Sequence, residues 1–247
     1  MMRIALGIEY DGARFAGWQS QAHRNTVQDV VETALARIAD HDVRVACAGR
    51  TDAGVHALAQ VAHFDTAALR PDSAWVRGVN AHLPPQVAVR WAKIVNEDFH
   101  ARFSARSRAY RYVLLNRAVR PALLAGQVGW FHQPLDIEAM RAAATCLIGE
   151  HDFSAFRAAE CQAKSPVKHL YRADVSAQGD CLVFDFHANA FLHHMIRNLV
   201  GSLVYIGKGK HPPAWLGELL AERLRTRAAP TFAADGLYFA GVEYDAG

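Results

Sequence analysis

The segment Gly49–Ala57, with the sequence GRTDAGVHA, is the most informative stretch for chemistry. Asp52 lies between two glycines, and Arg50 stands two residues before it. Glycine lets the backbone turn tightly and lets a substrate approach the main chain, so a carboxylate here is freer to act on a ligand than one on a helix face. The pattern therefore indicates a catalytic or ligand-binding aspartate. An Asx turn, or an ion pair between Asp52 and Arg50, is the simpler explanation of the same residues.

Histidines suggest two further kinds of chemistry. His56 would suit a hydrolase dyad, but no serine or cysteine in a nucleophile-elbow pattern accompanies it. His193 and His194, with His187 nearby, suggest a metal site. Adjacent histidines on a helix point in different directions, however, and a two-histidine ligand face needs i, i+4 spacing. We therefore expect no metal, and the absence of a P-loop and of G-x-G-x-x-G predicts no nucleotide cofactor.

Arginines and aromatic residues are interleaved between positions 99 and 120. This segment contains no acid, and its arginines are Arg102, Arg106, Arg108, Arg111, Arg117 and Arg120. Arginine with aromatic residues is the mixture that binds phosphates and stacks on bases. A solvated basic face is the alternative, because charge runs commonly serve solubility. This segment, the basic stripe of residues 99–120, favours a nucleic-acid ligand, and Arg106 and Arg108 are its candidate RNA-binding residues.

Length and composition are those of an ordinary globular protein. The 247 residues are 51% hydrophobic and 21% charged, with a net charge of +3, which suits one large or two small domains. The four cysteines form no C-x-x-C pair, which argues against a zinc ribbon or a disulfide framework and fits a reducing cytoplasm. The N-terminus is charged too soon for a signal peptide, and no apolar run approaches the ~20 residues of a membrane span. We expect a cytoplasmic protein.

Hydrophobic periodicity predicts the order β-α-β-β-α-β twice. In the first half, strands are expected at 2–9, 43–47, 60–65 and 86–95, with helices from Val27 and at 72–80. In the second half, strands are expected at 107–115, 167–176, 180–187 and 237–244, with helices at 136–148, 191–206 and 215–224. This order predicts an α+β fold of two ferredoxin-like (RRM-like) halves, 1–98 and 99–247, forming an extended, mainly antiparallel sheet with helices on one face. The open face would suit a nucleic-acid platform.

Four segments stand in a characteristic order along nearly the whole chain. They are YDGARFAGWQSQ at 10–21, GRTDAGVHA at 49–57, FHARFSARSRAYRY at 99–112 and NAFLHHMIRNLVGSL at 189–203. Together they resemble the TruA-type family, the tRNA pseudouridine(38–40) synthases. One departure is Ala57, where the family frequently has glycine. Since the sequence ends soon after Tyr244, we expect it to lack the C-terminal tail that some members carry.

The resemblance implies roles for individual residues. Asp52 corresponds to the catalytic aspartate, Tyr110 to the active-site tyrosine and Arg197 to the arginine of the family's HHM-x-RN pattern, which we interpret as the partner of Asp52. Leu237 would line the base pocket, and Arg50 could fill the stack that a flipped base vacates. The family further implies a homodimer without a cofactor, a basic cleft and the anticodon stem-loop of tRNA as substrate.

Two alternatives come from other functional classes. A non-catalytic RNA-binding protein of two RRM-like folds would fit the sheet and the basic stripe, but it leaves the Asp52 loop unexplained, and the RRM sequence pattern is absent. A metal-dependent phosphodiesterase would use Asp52 and His56 and would be recognised by its metal requirement.

Overall fold

The computed structural model describes residues 1–22 and 25–245, and packing divides them into two units. The first unit comprises residues 1–106 and the described part of 238–247, and the second comprises residues 107–237. These limits differ from the expected division at 98/99, because the segment 99–106 and the last strand pack with the first unit.

Ten strands and four α-helices occur in the described residues. The strands are β1 Met2–Tyr10, β2 Ala46–Cys47, β3 His56–Thr66, β4 Val87–Val95, β5 Ala105–Asn116, β6 Gly129–Phe131, β7 Gly149–Asp152, β8 Val167–Gln178, β9 Cys181–Ala188 and β10 Leu237–Tyr244. The helices are α1 Val27–Ala39, α2 Ile137–Ala144, α3 Met195–Gly207 and α4 Trp215–Glu222. Residues 72–80 are also helical, and their central turn Ala74–Gly78 is a π-helix. The mixed α+β class is confirmed.

The first unit has the strand order expected of a ferredoxin-like half. β1 pairs antiparallel with both β3 and β4, and β2 pairs antiparallel with β3. Strand β10 adds to β3 in parallel, with Tyr238 opposite His56. The predicted strand at 43–47 shrinks to Ala46–Cys47. Val43 and Val45 are buried without joining the ladder, which produces the same alternation of burial.

Helix α1 begins where the sequence predicts it. Thr26 caps the helix by accepting a hydrogen bond from the Asp29 backbone N–H at 3.3 Å, which satisfies one of the unpaired donors of the first turn. Val27, Val31 and Leu35 recur on one face of the helix, and all three are fully buried.

Side-chain contacts explain why the segment 99–106 and the last strand belong to the first unit. Arg3 on β1 donates through Nη1 to the Phe99 carbonyl at 2.9 Å. The Tyr244 hydroxyl on β10 donates to the Ala101 carbonyl at 2.8 Å. Both links join distant parts of the chain within one unit, and hydrophobic periodicity contains no signal for them.

The second unit contains an antiparallel sheet in the order β5-β9-β8-β7, with β6 parallel to β5. The predicted β8–β9 hairpin is present, and its two turn residues are Gly179 and Asp180, one position later than the expected Gln178 and Gly179; Gly179 adopts a φ of +60°. Strands β6 and β7 were not predicted, because three and four residues are too few to show an alternating pattern.

Helix α3 begins at Met195, so the expected start at residue 191 is wrong. His194 adopts a left-handed conformation with a φ of 60°, which a continuing α-helix does not allow. The preceding residues are held instead by other contacts, including a bond from the Ala158 N–H to the His193 carbonyl at 3.1 Å. The predicted helix at 136–148 also ends early, at Ala144, and continues as a 3₁₀ turn over Thr145–Leu147.

The core of the second unit lies where its helices pack. Leu199 and Leu203 of α3, Met140 of α2, and Leu216 and Leu219 of α4 are fully buried. Among the described residues, no helix has the length and apolar character that crossing a membrane requires.

Candidate active site

Asp52 lies on the loop between β2 and β3, where its side chain is half-buried. Arg50 is exposed, whereas Thr51 is only 7% exposed. The Val55 N–H donates to the Asp52 carbonyl at 3.1 Å, which closes a turn just before β3 begins. The loop therefore alternates buried anchors with residues that face outward, and Asp52 lies at the boundary between them.

The N-terminal segment 10–18 supports this loop from below. The Tyr10 hydroxyl lies 2.8 Å from the Thr51 hydroxyl oxygen, and the Trp18 N–H donates to the Thr51 carbonyl at 3.0 Å. The Gly54 N–H donates to the Phe15 carbonyl at 3.3 Å. Tyr10 and Trp18 are buried, and burial raises the pKa of the Tyr10 hydroxyl, which stays protonated. In the sequence, this segment contributed only to the family resemblance, and its contacts with the Asp52 loop were not predicted.

Two glycines of the same segment are required by close backbone approach. A Cβ at Gly12 would lie 1.9 Å from the Val55 carbonyl oxygen, which no side chain can tolerate. Gly17 has a φ of +92°, and a Cβ there would lie 2.6 Å from the Thr51 carbonyl oxygen. Spacing along the chain could not reveal these contacts, because they join residues about forty positions apart.

Gln60 of β3 fixes the beginning of the loop. Its side-chain amide donates to the Gly49 carbonyl at 2.6 Å and accepts from the Gly49 N–H at 3.3 Å. Gln60 is fully buried and Gly49 is half-buried, so this pair of hydrogen bonds is partly shielded from water. Fixed at several points, the loop gives the Asp52 backbone a defined position.

His56 has a structural environment. Its Nδ1 lies 3.0 Å from the Gly12 backbone nitrogen, whose N–H points at the ring. The Asp11 carboxylate is 3.1 Å from the same nitrogen, but it accepts a hydrogen bond from the Ala13 N–H at 2.9 Å. The imidazole is 2% exposed and stacks on Tyr238 at 4.6 Å. These contacts favour a packing role over a hydrolase dyad.

In the second unit, Tyr110 and Arg197 each have a defined position. Tyr110 lies half-buried on β5, with its ring edge-on to Phe191 at 5.0 Å. Arg197 lies in the first turn of α3, half-buried, rather than in the middle of a helix as expected. Its Nε donates to the Phe232 carbonyl at 2.8 Å, and the Phe232 N–H returns a bond to the Arg197 carbonyl at 3.2 Å. This pairing fixes the direction of the guanidinium group.

The basic stripe is partly neutralised by acids from distant positions. Arg106 forms a bidentate pair with Asp245, with the shortest separation 2.6 Å, and Arg111 pairs with Asp185 at 2.8 Å. Arg108 donates to the Asn189 carbonyl at 3.2 Å. The segment 99–120 contains no acid of its own, so the positive charge inferred from this segment alone was too high.

Leu237, the remaining predicted site residue, is 6% exposed at the start of β10. Its N–H donates to the Ala234 carbonyl at 2.8 Å, which closes a turn in front of the strand. The side chain therefore lies in a packed apolar position.

Comparison with known proteins assigns the chain to a family. The family model described as tRNA pseudouridine synthase matches residues 7–104 and 143–245. "tRNA pseudouridine synthase A" of Methylobacillus flagellatus is 63% identical over 99% of this chain and 94% of its own length. The protein of the same name from Aromatoleum aromaticum is 66% identical over 98% of this chain and 92% of its own length. Among solved structures, a match to one chain of the archaeal box H/ACA sRNP Nop10–Cbf5 complex covers 91% of this protein and 60% of that neighbour's length, with 12% identity and a TM-score of 0.37. A TM-score that low supports no inference. The two relatives and the family match confirm the resemblance: the chain belongs to the tRNA pseudouridine synthase family, whose members isomerise uridine in tRNA.

Proposed function

We propose that Asp52 performs the covalent chemistry of this tRNA pseudouridine synthase, and that its targets are the uridines at positions 38, 39 and 40 of the anticodon stem-loop. The observation that carries the proposal is a half-buried carboxylate on a loop that is held by hydrogen bonds at Gly49 and Thr51 before it and at Gly54 after it. Both the family resemblance of GRTDAGVHA and the local geometry support Asp52 in this role.

The reaction requires one bond to break and one to form. The N1–C1′ bond of uridine breaks, the uracil turns, and C5 joins C1′. The proton on C5 is lost, and N1 ends as N–H, so the reaction is an isomerisation that needs no redox partner. One carboxylate suffices, as a nucleophile toward C6 of the base or C1′ of the ribose, or as a base that removes the 2′ proton. All three routes use the same group.

The target base lies within a stem-loop and must leave its stack before a carboxylate can reach it. We propose that Arg50 occupies or braces the vacated position. Its exposed side chain, two residues before Asp52, fits that role. A planar guanidinium can stack on bases as well as bind phosphate, which a lysine cannot match.

Arg197 is proposed to keep the Asp52 carboxylate ionised, as the family resemblance implies. Arg197→Lys should lower turnover by at least about tenfold, although the charge is kept, because an ammonium lacks both the Nε donor that binds Phe232 and the planar fork that suits a carboxylate. Single-turnover rates with saturating enzyme would measure this. A variant as fast as wild type would remove Arg197 from the mechanism.

Tyr110 is proposed to stack on the uracil and to place its hydroxyl near the sugar. Tyr110→Phe keeps the ring and its edge-on contact with Phe191, so RNA affinity should stay within about twofold. Turnover should fall by about a hundredfold or more, since a side chain positioned for proton transfer typically contributes about 10²- to 10⁴-fold. Gel-shift titration and turnover would be measured side by side. Parallel loss of affinity and thermal stability would instead identify Tyr110 as a core residue.

The broader assignments are also proposals. We propose that the protein is a cytoplasmic homodimer and that it needs neither metal nor cofactor. Leu237 would line the base pocket, and Arg106 and Arg108 would contact the RNA backbone. The ion pair of Arg106 with Asp245 means that RNA would have to displace an intramolecular carboxylate there.

The experiment that tests the proposed targets uses tRNA transcripts with uridine at only one of positions 38, 39 and 40, each labelled with tritium at C5. Wild-type enzyme should release tritium from all three and from none that carries its label elsewhere. Mapping pseudouridine in tRNA from cells with and without the gene should show the loss of the same three sites. Release from other positions would overturn the assignment of targets.

A further inference from the structure

A groove in the first unit lies beside the Asp52 loop and has no role in the function proposed above. Its volume is about 280 Å³, and its lining includes Trp18, Cys47, Arg50, His100, Arg102 and Phe103. Asp52 is not among the described residues that line it. Because Arg50 precedes Asp52 by two residues, their Cα atoms are at most about 7 Å apart. The groove is thus a neighbour of the candidate catalytic carboxylate.

The rim of the groove combines an exposed aromatic ring with two cations. Phe103 is 75% exposed, although an aromatic side chain of this size is normally buried. The guanidinium carbon of Arg102 lies 5.6 Å from the centre of the Phe103 ring, and the Arg50 side chain is also exposed. An aromatic face beside cations is how proteins hold single nucleotides without reading their sequence.

The loop that presents Phe103 is rigid. His100 Nδ1 accepts hydrogen bonds from the backbone N–H groups of Arg102 at 3.1 Å and Phe103 at 3.4 Å. The Ser104 hydroxyl oxygen accepts a hydrogen bond from the backbone N–H of His100 at 2.9 Å. Burial, followed by the charge of Arg3, lowers the pKa of His100, which keeps Nδ1 free to accept both bonds. The exposure of Phe103 is therefore built into the fold and does not arise from a loose loop.

The thiol in the groove does not offer an alternative chemistry. Burial raises the pKa of the Cys47 thiol to about 12, so the reactive thiolate is scarce at neutral pH. The groove is also at the small end of ligand sites, which suits one nucleotide and not a longer stretch of RNA.

We propose that this groove binds the tRNA nucleotide next to the target uridine, with its base stacked on Phe103 and its phosphate held by Arg102, while Arg50 at the groove's edge braces the position that the flipped uridine vacates. The inference rests on the proposed function, because the occupant is a neighbour of the base that Asp52 attacks. Capture of this nucleotide would hold the strand open on one side of the flipped uridine. Specificity would then depend on backbone geometry more than on the identity of the captured base.

The test measures the affinity of stem-loop RNAs that carry cytidine at the target position, so that no turnover occurs. Phe103→Ala should weaken binding about 5- to 150-fold, the range for loss of one base–aromatic stack, whereas Phe103→Tyr should stay near wild type. Single abasic sites would then be scanned through the loop. At one position beside the target, the abasic site should cost wild type the same factor and cost Phe103→Ala almost nothing. Arg102→Gln should weaken binding and reduce the slope of log affinity against log salt by about one.

Leu69→Ala is the matched control, since Leu69 is 80% exposed in the same unit, and it should leave affinity unchanged. The proposal is overturned if Phe103→Ala binds as wild type, if its loss is the same for every abasic RNA, or if it changes only the oligomeric state. Undetectable binding of the wild type to stem-loop RNA would also overturn it. Tritium release by wild type, measured separately, tests the proposed function. If wild type releases tritium but Phe103→Ala binds RNA as tightly as wild type, the proposal for the groove is rejected and the proposed function stands.

Discussion

Replacing Asp52 by asparagine is expected to abolish tritium release from [5-³H]uridine-labelled tRNA. The substitution keeps the shape of the side chain and removes its charge, so no nucleophile or base remains at that position. Loss of a covalent catalyst lowers turnover by at least about four orders of magnitude. Because Asp52 is half-buried at the rim of its loop, the melting temperature should change by only about 2 °C, and tRNA affinity should stay near wild type.

Asp98→Asn provides the matched control, since Asp98 is an exposed loop aspartate of the same unit, and it should retain full activity. If Asp52 only orders its turn, the opposite pattern appears: a lower melting temperature, with activity retained per folded molecule. A non-catalytic RNA-binding protein would release tritium from neither variant nor from wild type. One activity assay and one melting curve therefore distinguish a catalytic Asp52 from both alternatives.

Gly12→Ala is expected to have the second-largest effect, although Gly12 itself carries no reactive group. The new methyl group would lie 1.9 Å from the Val55 carbonyl oxygen. The methyl group is bonded directly to the backbone and its neighbour is a backbone atom, so no side-chain rotation can relieve the clash. The loop that carries Asp52 must therefore move. Overpacking of this kind destabilises by about 3 kcal/mol, which corresponds to a melting temperature lower by roughly 6–12 °C. Turnover per folded molecule should fall by about a hundredfold, because a displacement of about 1 Å costs that much in positioning.

Gly217→Ala is the control for this change. Gly217 lies in α4, and a Cβ there meets no atom within 4 Å. Alanine also favours the helix, so this variant should be as stable as wild type or slightly more stable. Calorimetry would measure the melting temperature of both variants, and tritium release on the same preparations would measure their turnover. Wild-type values for Gly12→Ala would mean that the two backbone segments are not held as closely as described.

Periodicity predicted most of the fold because most elements have one buried face. Helix α1 begins at its capping residue Thr26, and the β8–β9 hairpin turns at Gly179, since both ends are determined by residues adjacent in sequence. The start of α3 at Met195 was not predictable in the same way. The left-handed backbone of His194 depends on contacts with a distant segment, and local pattern does not contain that information.

The candidate site shows the same division. Asp52 was proposed as the reactive group because glycines surround it in sequence and because GRTDAGVHA resembles the signature loop of the family. The hydrogen bonds of Tyr10 and Gln60 to the loop, and the ion pair of Arg106 with Asp245, join residues far apart along the chain. Such pairings appear only once the sheet register is known. The sequence thus pointed to the proposed reactive group but not to the contacts that hold its loop.

The first unit is discontinuous in sequence, and this affects how the protein folds during synthesis. Its strand β10 comes from residues 237–244, after the whole of the second unit has been translated. At about 5–20 residues per second, the ribosome would delay that strand by roughly ten seconds relative to residue 106. Throughout that interval the edge of β3 that β10 later occupies can pair with other chains, which is a hazard for aggregation. Chaperones that shield exposed strand edges should therefore matter more for this protein than for one whose units are each continuous.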